Sequence, residues 1–246
     1  MDISEEAYRW VRENEKAVIA RFIGDTPSVD NPVSFFMAGS PGSGKTEYSK
    51  SFIEDLNEAF RDRYKNDYPI VRIDADDIRL ILSGYNGQNA SLFQRASVLG
   101  VNILHDYVLK KKINFLLDGT FANEKYAIEN IERSLKRNRK VQILYLFQNP
   151  LHAWKLTKAR EMKEGRKVPM EIFIRDYFSA KEVVEKMKAK FADKISIDLA
   201  VRDFLSGEKN NYFNITDIDS YIKFPYNINT LKEELIKINK ELGINY

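Results

Sequence analysis

Apolar positions along this chain follow two different periods. Residues 3 to 23 place Ala7, Trp10, Val11, Ala17, Val18, Phe22 and Ile23 near one face at helical spacing, and "GDTPSVDNP" ends that pattern. "VSFFMA", residues 33 to 38, is a continuous apolar run too short for a helix. A glycine-rich turn follows it, then a helical pattern from Lys45 to about Tyr64. The alternation repeats with "IVRID" at 70 to 74, helices over 76 to 83 and 90 to 111, "INFLLD" at 113 to 118, a helix over 123 to 137, and "VQILYLF" at 141 to 147. Helices over 151 to 164 and 169 to 191 lead to a last strand near 195 to 201. Continuous apolar strands separated by helices predict a parallel sheet of about five strands covered on both faces, a three-layer α/β fold. Beyond Leu205 the chain turns rich in asparagine and tyrosine and closes on an amphipathic helix, which suits a tail packed on the outside of the sheet.

Composition narrows the chemistry more than it identifies it. The chain has 246 residues, 43% of them hydrophobic and 30% charged, enough for one sizeable core. Basic residues exceed acidic ones by only three (39 against 36), so polyanion binding is not required and an anionic substrate is tolerated. With no cysteine, disulfides, thiolate catalysis and cysteine-bound metals are excluded. His105 and His152 stand far apart, so any metal is expected to be a hard, oxygen-bound ion. Both histidines, with Trp10 and Trp154, are taken as packing residues. The acidic, amphipathic N-terminus and the lack of a long apolar run predict a cytoplasmic protein without a membrane span.

The segment Gly39-Ser40-Pro41-Gly42-Ser43-Gly44-Lys45-Thr46 fits GxxxxGK[ST], the Walker A pattern, at every fixed position and lies between a predicted strand and a predicted helix. In that setting backbone N–H groups converge on phosphate oxygens, Lys45 reaches the outer phosphates and Thr46 holds magnesium. This is a site for a nucleoside triphosphate, with ATP and Mg2+ as the expected cofactors. The second strand ends in three acids, Asp74, Asp76 and Asp77, at the sheet edge where open α/β folds bind ligands. One of them is suited to take the proton of a substrate hydroxyl during phosphoryl transfer. Asp76, and more so Asp77, is also suited to capping the next helix, and Asp74 to bonding backbone at the strand end. The third strand delivers Asp118, near the metal or its waters, then Gly119 and Thr120. Arg160, Arg166 and Arg175 surround an interruption at Gly165 and Pro169 between two helices, an arrangement that suits a lid carrying planar cations to the transferring group.

"PVSFFMAGSPGSGKT", "RIDADDIR", "LLDGT" and "AREMKEGRKVP", in this order and spacing from about Asn31 to Tyr177, resemble the zeta toxins, the kinase half of epsilon/zeta toxin–antitoxin systems. The resemblance implies a P-loop kinase that passes the γ-phosphoryl group of ATP to a sugar hydroxyl of UDP-N-acetylglucosamine. It implies Lys45 on the outer phosphates, Thr46 on magnesium, Asp76 as general base, and Arg160 and Arg166 as the catalytic arginines, with Arg175 the alternative for the second. Asp118, standing where the family carries glutamate, joins Thr120 and Arg175 on the acceptor side. An antitoxin protein is the implied partner. The corresponding division is an N-terminal helical segment (1–30), a P-loop kinase domain (31–205) and a C-terminal extension (206–246). Two other readings share the phosphate loop. One is a kinase of another small molecule or of nucleic-acid 5′-hydroxyls, against which the interleaving of basic residues with acids argues. The other is a non-catalytic nucleotide-dependent interaction protein.

Overall fold

The computed structural model describes residues 2–203 and 207–244. Its centre is a six-stranded sheet built from β1 (Val33–Ala38), β2 (Ile70–Asp74), β3 (Asn114–Asp118), β4 (Lys140–Gln148), β5 (Ser196–Asp203) and β6 (Glu208–Tyr212), in the order β2-β3-β1-β4-β5-β6. The first five strands are parallel, as the apolar runs predict, and β6 adds an antiparallel edge that they do not. β6 reads Glu-Lys-Asn-Asn-Tyr, with no apolar run to announce it. An edge strand bonds on one side only and is free to be polar.

Side chains of β1 alternate between the faces and split the core in two. Phe35 and Met37 pack with Leu116, Leu144 and Leu146 under Phe52 and Leu56 of α3 (Lys45–Tyr64). Phe36 and Ala38 face the larger cluster with Ile73, Phe115, Ile143 and Tyr145. That cluster is closed by α5 (Gln94–Lys110), α6 (Glu124–Leu135), α8 (Met170–Phe191) and α9 (Ile228–Glu241). α9 is anchored where Trp154, fully buried on α7 (Pro150–Glu164), donates its Nε1–H to Asn239 Oδ1 at 2.8 Å. The division placed at 205/206 falls on residues outside those described. The described residues after it contribute β6 to the sheet and α9 to the core.

Two helical expectations are corrected. Residues 3 to 23 form two helices, α1 (Ile3–Glu13) and α2 (Glu15–Phe22), separated at Asn14. The Asn14 side chain donates to the Trp10 carbonyl at 2.9 Å, a local bond that competes with helix continuation. The break lets Ala7 and Val11 pack with Phe93 and Ala96 while Val18 joins the main core. The helix expected over 76 to 83 is only α4 (Ala75–Arg79), and the chain then runs through turns at Gly84 and Gly87, both at positive φ. No helix among the described residues is long and apolar enough to cross a membrane.

Candidate active site

β1 is central, and the chain leaves it toward β2 on one side before returning past it to β4 on the other. The crevice at such a switch point, outside the carboxyl ends of the strands, is where open sheets bind ligands. The glycine loop lies there. Its N-terminal end is held by a bond from Gly39 N to Thr120 O at 3.1 Å. A Cβ at Gly39 would stand 2.5 Å from the Leu146 carbonyl oxygen, and one at Gly42 2.0 Å from that of Ala153, so the loop is wedged against β4 and α7 where only glycine fits. Gly44, at φ 88°, opens α3. Lys45 Nζ donates to the carbonyl oxygens of Gly39 at 2.9 Å and Ser40 at 2.6 Å. Burial lowers its pKa to about 8, against the opposing charges of Asp118, Asp176 and Asp74.

Register sets Asp74 of β2 beside Asp118 of β3. Arg72, two residues earlier on β2, lies among the acids: it bonds Asp74, reaches Asp118 Oδ2 at 2.7 Å and Asp77 Oδ2 at 2.5 Å, and donates Nε–H to Ser49 Oγ at 2.9 Å. Ser49 in turn donates to Asp118 Oδ2 at 3.0 Å. Burial raises the Asp74 carboxyl to about 6, with the charge of Asp118 adding to it and Arg72 opposing. Asp74 is also the residue that caps α4, accepting from Asp76 N at 2.8 Å. The capping role open to Asp76 or Asp77 therefore falls to Asp74, which leaves the Asp76 carboxylate to side-chain partners.

Those partners are three arginines. Arg79, one helical turn along α4 and 4% exposed, bonds Asp76 Oδ1. Arg166 bonds Oδ2, and Arg160 Nη2 reaches the same oxygen at 3.1 Å while its Nε donates to Glu164 at 2.6 Å. Burial alone would raise the Asp76 carboxyl, but Arg166, Arg79 and Arg160 outweigh it and hold the group below the usual carboxylate range. Helix α7 ends at Gly165, left-handed at φ 74°, and α8 begins after Pro169, so Arg160 and Arg166 lie on either side of a backbone turn.

Arg160 and Arg166 thus both bond Asp76, and the charge of Arg166 reaches Lys45 of the glycine loop. Arg175 does not bond Asp76: 62% exposed, it bonds at 2.8 Å to Asp176, whose charge also reaches Lys45. Asp118 lies in the Arg72 cluster, and Thr120 bonds the glycine loop through its carbonyl. Trp154 and His105 are buried, His105 against Phe36 and Phe115 with its pKa lowered to about 3 by burial and nearby arginines. Arg72, Arg79, Asp176 and Ser49 carry no sequence assignment. Two of them had a signal. Arg79 follows Asp76 at the i,i+3 spacing of helical ion pairs, and Arg72 is the polar position between Val71 and Ile73.

The donor set suits ATP and magnesium. The glycine loop offers converging backbone N–H groups and a half-buried lysine. Thr46 brings a hydroxyl, and Asp118 keeps Oδ1 while Oδ2 accepts from Ser49 and Arg72. The described residues contain no group of three or more His, Asp or Glu side chains able to hold a metal. Sparse protein ligation completed by phosphate oxygens and water is the magnesium pattern.

The Zeta toxin family model matches residues 17–214. Among solved structures, one from the PezAT chromosomal toxin-antitoxin system of the human pathogen Streptococcus pneumoniae superimposes with a TM-score of 0.63 at 16% identity, over 99% of this chain and 98% of that one. The structure of AvrRxo1-ORF1:-ORF2 with ATP gives a TM-score of 0.62 at 13% identity, over 90% of this chain and 72% of that one. At such identities the likeness is one of fold. No curated protein matches the sequence.

Proposed function

This chain belongs to the zeta toxin family, and from that premise we propose that it is an ATP-dependent kinase that phosphorylates a hydroxyl of a nucleotide sugar, UDP-N-acetylglucosamine, as the toxin of a toxin–antitoxin pair. The observation that carries the proposal is the convergence of Arg160 and Arg166 on Asp76 beside the Lys45 loop. A carboxylate for the acceptor proton, planar cations for the moving phosphoryl group and a lysine for the donor phosphates are what phosphoryl transfer needs from a protein.

In the proposed reaction the loop from Gly39 to Thr46 binds the triphosphate and Lys45 neutralises its outer oxygens. Thr46 and Asp118 would hold magnesium, which would supply charge neutralisation at the donor phosphates. Asp76 accepts the acceptor's hydroxyl proton. Because its carboxyl is held ionised by arginines, it is a weak base, suited to a loose transition state in which the proton leaves late. Arg160 and Arg166 turn from Asp76 to the phosphoryl oxygens, and Thr120 and Asp118 orient the acceptor. Incubating the protein with ATP, magnesium and UDP-N-acetylglucosamine, and weighing the products, tests this reading. A nucleotide sugar heavier by one phosphoryl group supports it, and ATP hydrolysis without a phosphorylated acceptor counts against it.

A further inference from the structure

The two oxygens of Asp76 have different kinds of partner. Oδ1 is bonded by Arg79, which is buried, shares α4 with Asp76, and donates Nη2–H to Gln94 Oε1 at 2.5 Å. α4 itself is seated on α5 without slack, since a Cβ at Gly100 would stand 2.9 Å from Ile78 Cγ2. Oδ2 is bonded by Arg160 and Arg166, which are 43% and 30% exposed and flank the turn at Gly165. One partner is fixed and two are placed to move.

From this division, and resting on the reaction proposed above, we infer that Arg79 is a positioning residue: it holds Oδ1 of Asp76 throughout turnover, so that Oδ2 meets the acceptor hydroxyl once Arg160 and Arg166 turn to the phosphoryl group. The proton balance follows. The acceptor oxygen forms its bond to the γ-phosphorus, the bond from that phosphorus to the β–γ bridging oxygen breaks with its electron pair staying on ADP, and the hydroxyl proton passes to Oδ2. Without Arg79, the departure of the lid arginines would leave a partly buried carboxylate with no cation, and burial would draw a proton onto it before the acceptor arrives.

The charged and titratable groups around this pair are Asp74 at the strand end, Asp77 on α4 with its partner Arg72, Tyr85 in the following turn, and Arg160 and Arg166 with Glu164 bonded to Arg160. Only Arg79 among the cations sits on the same element as Asp76.

The test is a titration of the Asp76 carboxyl by carbon NMR in the full chain, with magnesium and a non-hydrolysable ATP analogue bound, in wild type and Arg79→Met. The midpoint is expected to rise by about one pH unit or more in the variant, as for a carboxylate losing its nearest cation. Arg79→Lys is expected to restore most of the difference. In turnover, the acid limb of kcat should move further than that of kcat/KM, because the free enzyme still has the lid arginines on Asp76. An unchanged midpoint in Arg79→Met overturns the inference. If that variant does not fold, Gln94→Leu, which frees Arg79 without altering charge, is expected to lower kcat several-fold at unchanged KM for ATP, and wild-type kcat overturns the inference. Asp76→Asn separates the two claims: activity retained there removes the proposed base itself, whereas activity lost there with Arg79→Met at the wild-type midpoint removes only the role of Arg79.

Discussion

Gly87 and Glu164 meet backbone to backbone: a Cβ on Gly87 would lie 1.8 Å from the Glu164 carbonyl oxygen. Next to this contact, a Cβ on Gly165 would lie 2.7 Å from Gln88 Cγ. The turns after α4 thus close against the lid at the residues between Arg160 and Arg166. Gly87→Ala forces this seam apart and displaces both arginines, so kcat is expected to fall by about tenfold or more with KM for ATP little changed. Gly207 has a similar φ, 76°, in open space. Gly207→Ala therefore carries the conformational strain, about 1 kcal/mol, without the collision, and should leave kinetics at the wild-type level. Equal kinetic effects in the two variants would contradict the seam's role.

Arg72 is the counter-charge of the acidic cluster. Its removal leaves Asp74 and Asp118, 11% and 5% exposed, with no cation in contact. Arg72→Met is expected to cost about 3–5 kcal/mol in urea unfolding, the range for breaking a buried pair from one side. Adding Asp118→Asn should recover part of the loss, because one uncompensated charge is then gone. A loss below about 1 kcal/mol would place the cluster's stabilisation elsewhere.

Lys45 gives the stability a signed pH dependence. Its folded pKa is about 8, below the ordinary 10.5, because burial disfavours the charged form. Below pH 8 both folded and unfolded chains hold the proton, and the destabilisation is constant. Between about 8 and 10.5 the unfolded chain binds more protons, so folding stability contributed by this group rises with pH. Measured by denaturation at pH 7.5 and 9.5, wild type should gain about 2 kcal/mol relative to Lys45→Met. A difference that does not change with pH would contradict the burial of the charge. The same variant should lose ATP binding.

Arg166 and Arg175 compete in the sequence for one role and have different partners in the structure. Arg166 bonds Asp76, whereas Arg175 is an exposed partner of Asp176. Arg166→Ala is expected to lower kcat/KM by about a hundredfold or more, as for loss of a group that stabilises transferring charge. Arg175→Ala should stay within about fivefold, the scale of an exposed pair. The reverse order would exchange the two assignments.

β1 and β4, buried on both faces, were legible as continuous apolar runs, and β2, β3 and β5 as short runs rich in Val, Ile and Leu between helical patterns. β6 was not, being a polar edge. The break at Asn14 depends on a side chain bonding to backbone in place of helix, which periodicity does not register. In the crevice, the glycine loop announced itself by pattern and context, and Asp76, Arg160 and Arg166 by their place after a strand and around a helix interruption. Arg72 and Arg79 carried only the signals of an alternating strand position and a helical ion pair, which acquire meaning once the inward face of β2 and α4 is known. Arg175 and Arg166 could not be told apart along the chain, since the outcome depends on how the turn after Gly165 directs the backbone.

The central claim is that Asp76 takes a proton from a nucleotide-sugar hydroxyl as phosphate leaves ATP. The most direct measurement is mass spectrometry of UDP-N-acetylglucosamine after incubation with ATP and magnesium, comparing wild type with Asp76→Asn, a substitution of nearly the same shape that cannot accept the proton as a carboxylate does. The account predicts a product heavier by one phosphoryl group with wild type and at most about one per cent of it with Asp76→Asn. Equal yields from the two proteins, or consumption of ATP by wild type with the nucleotide sugar unchanged in mass, would contradict it.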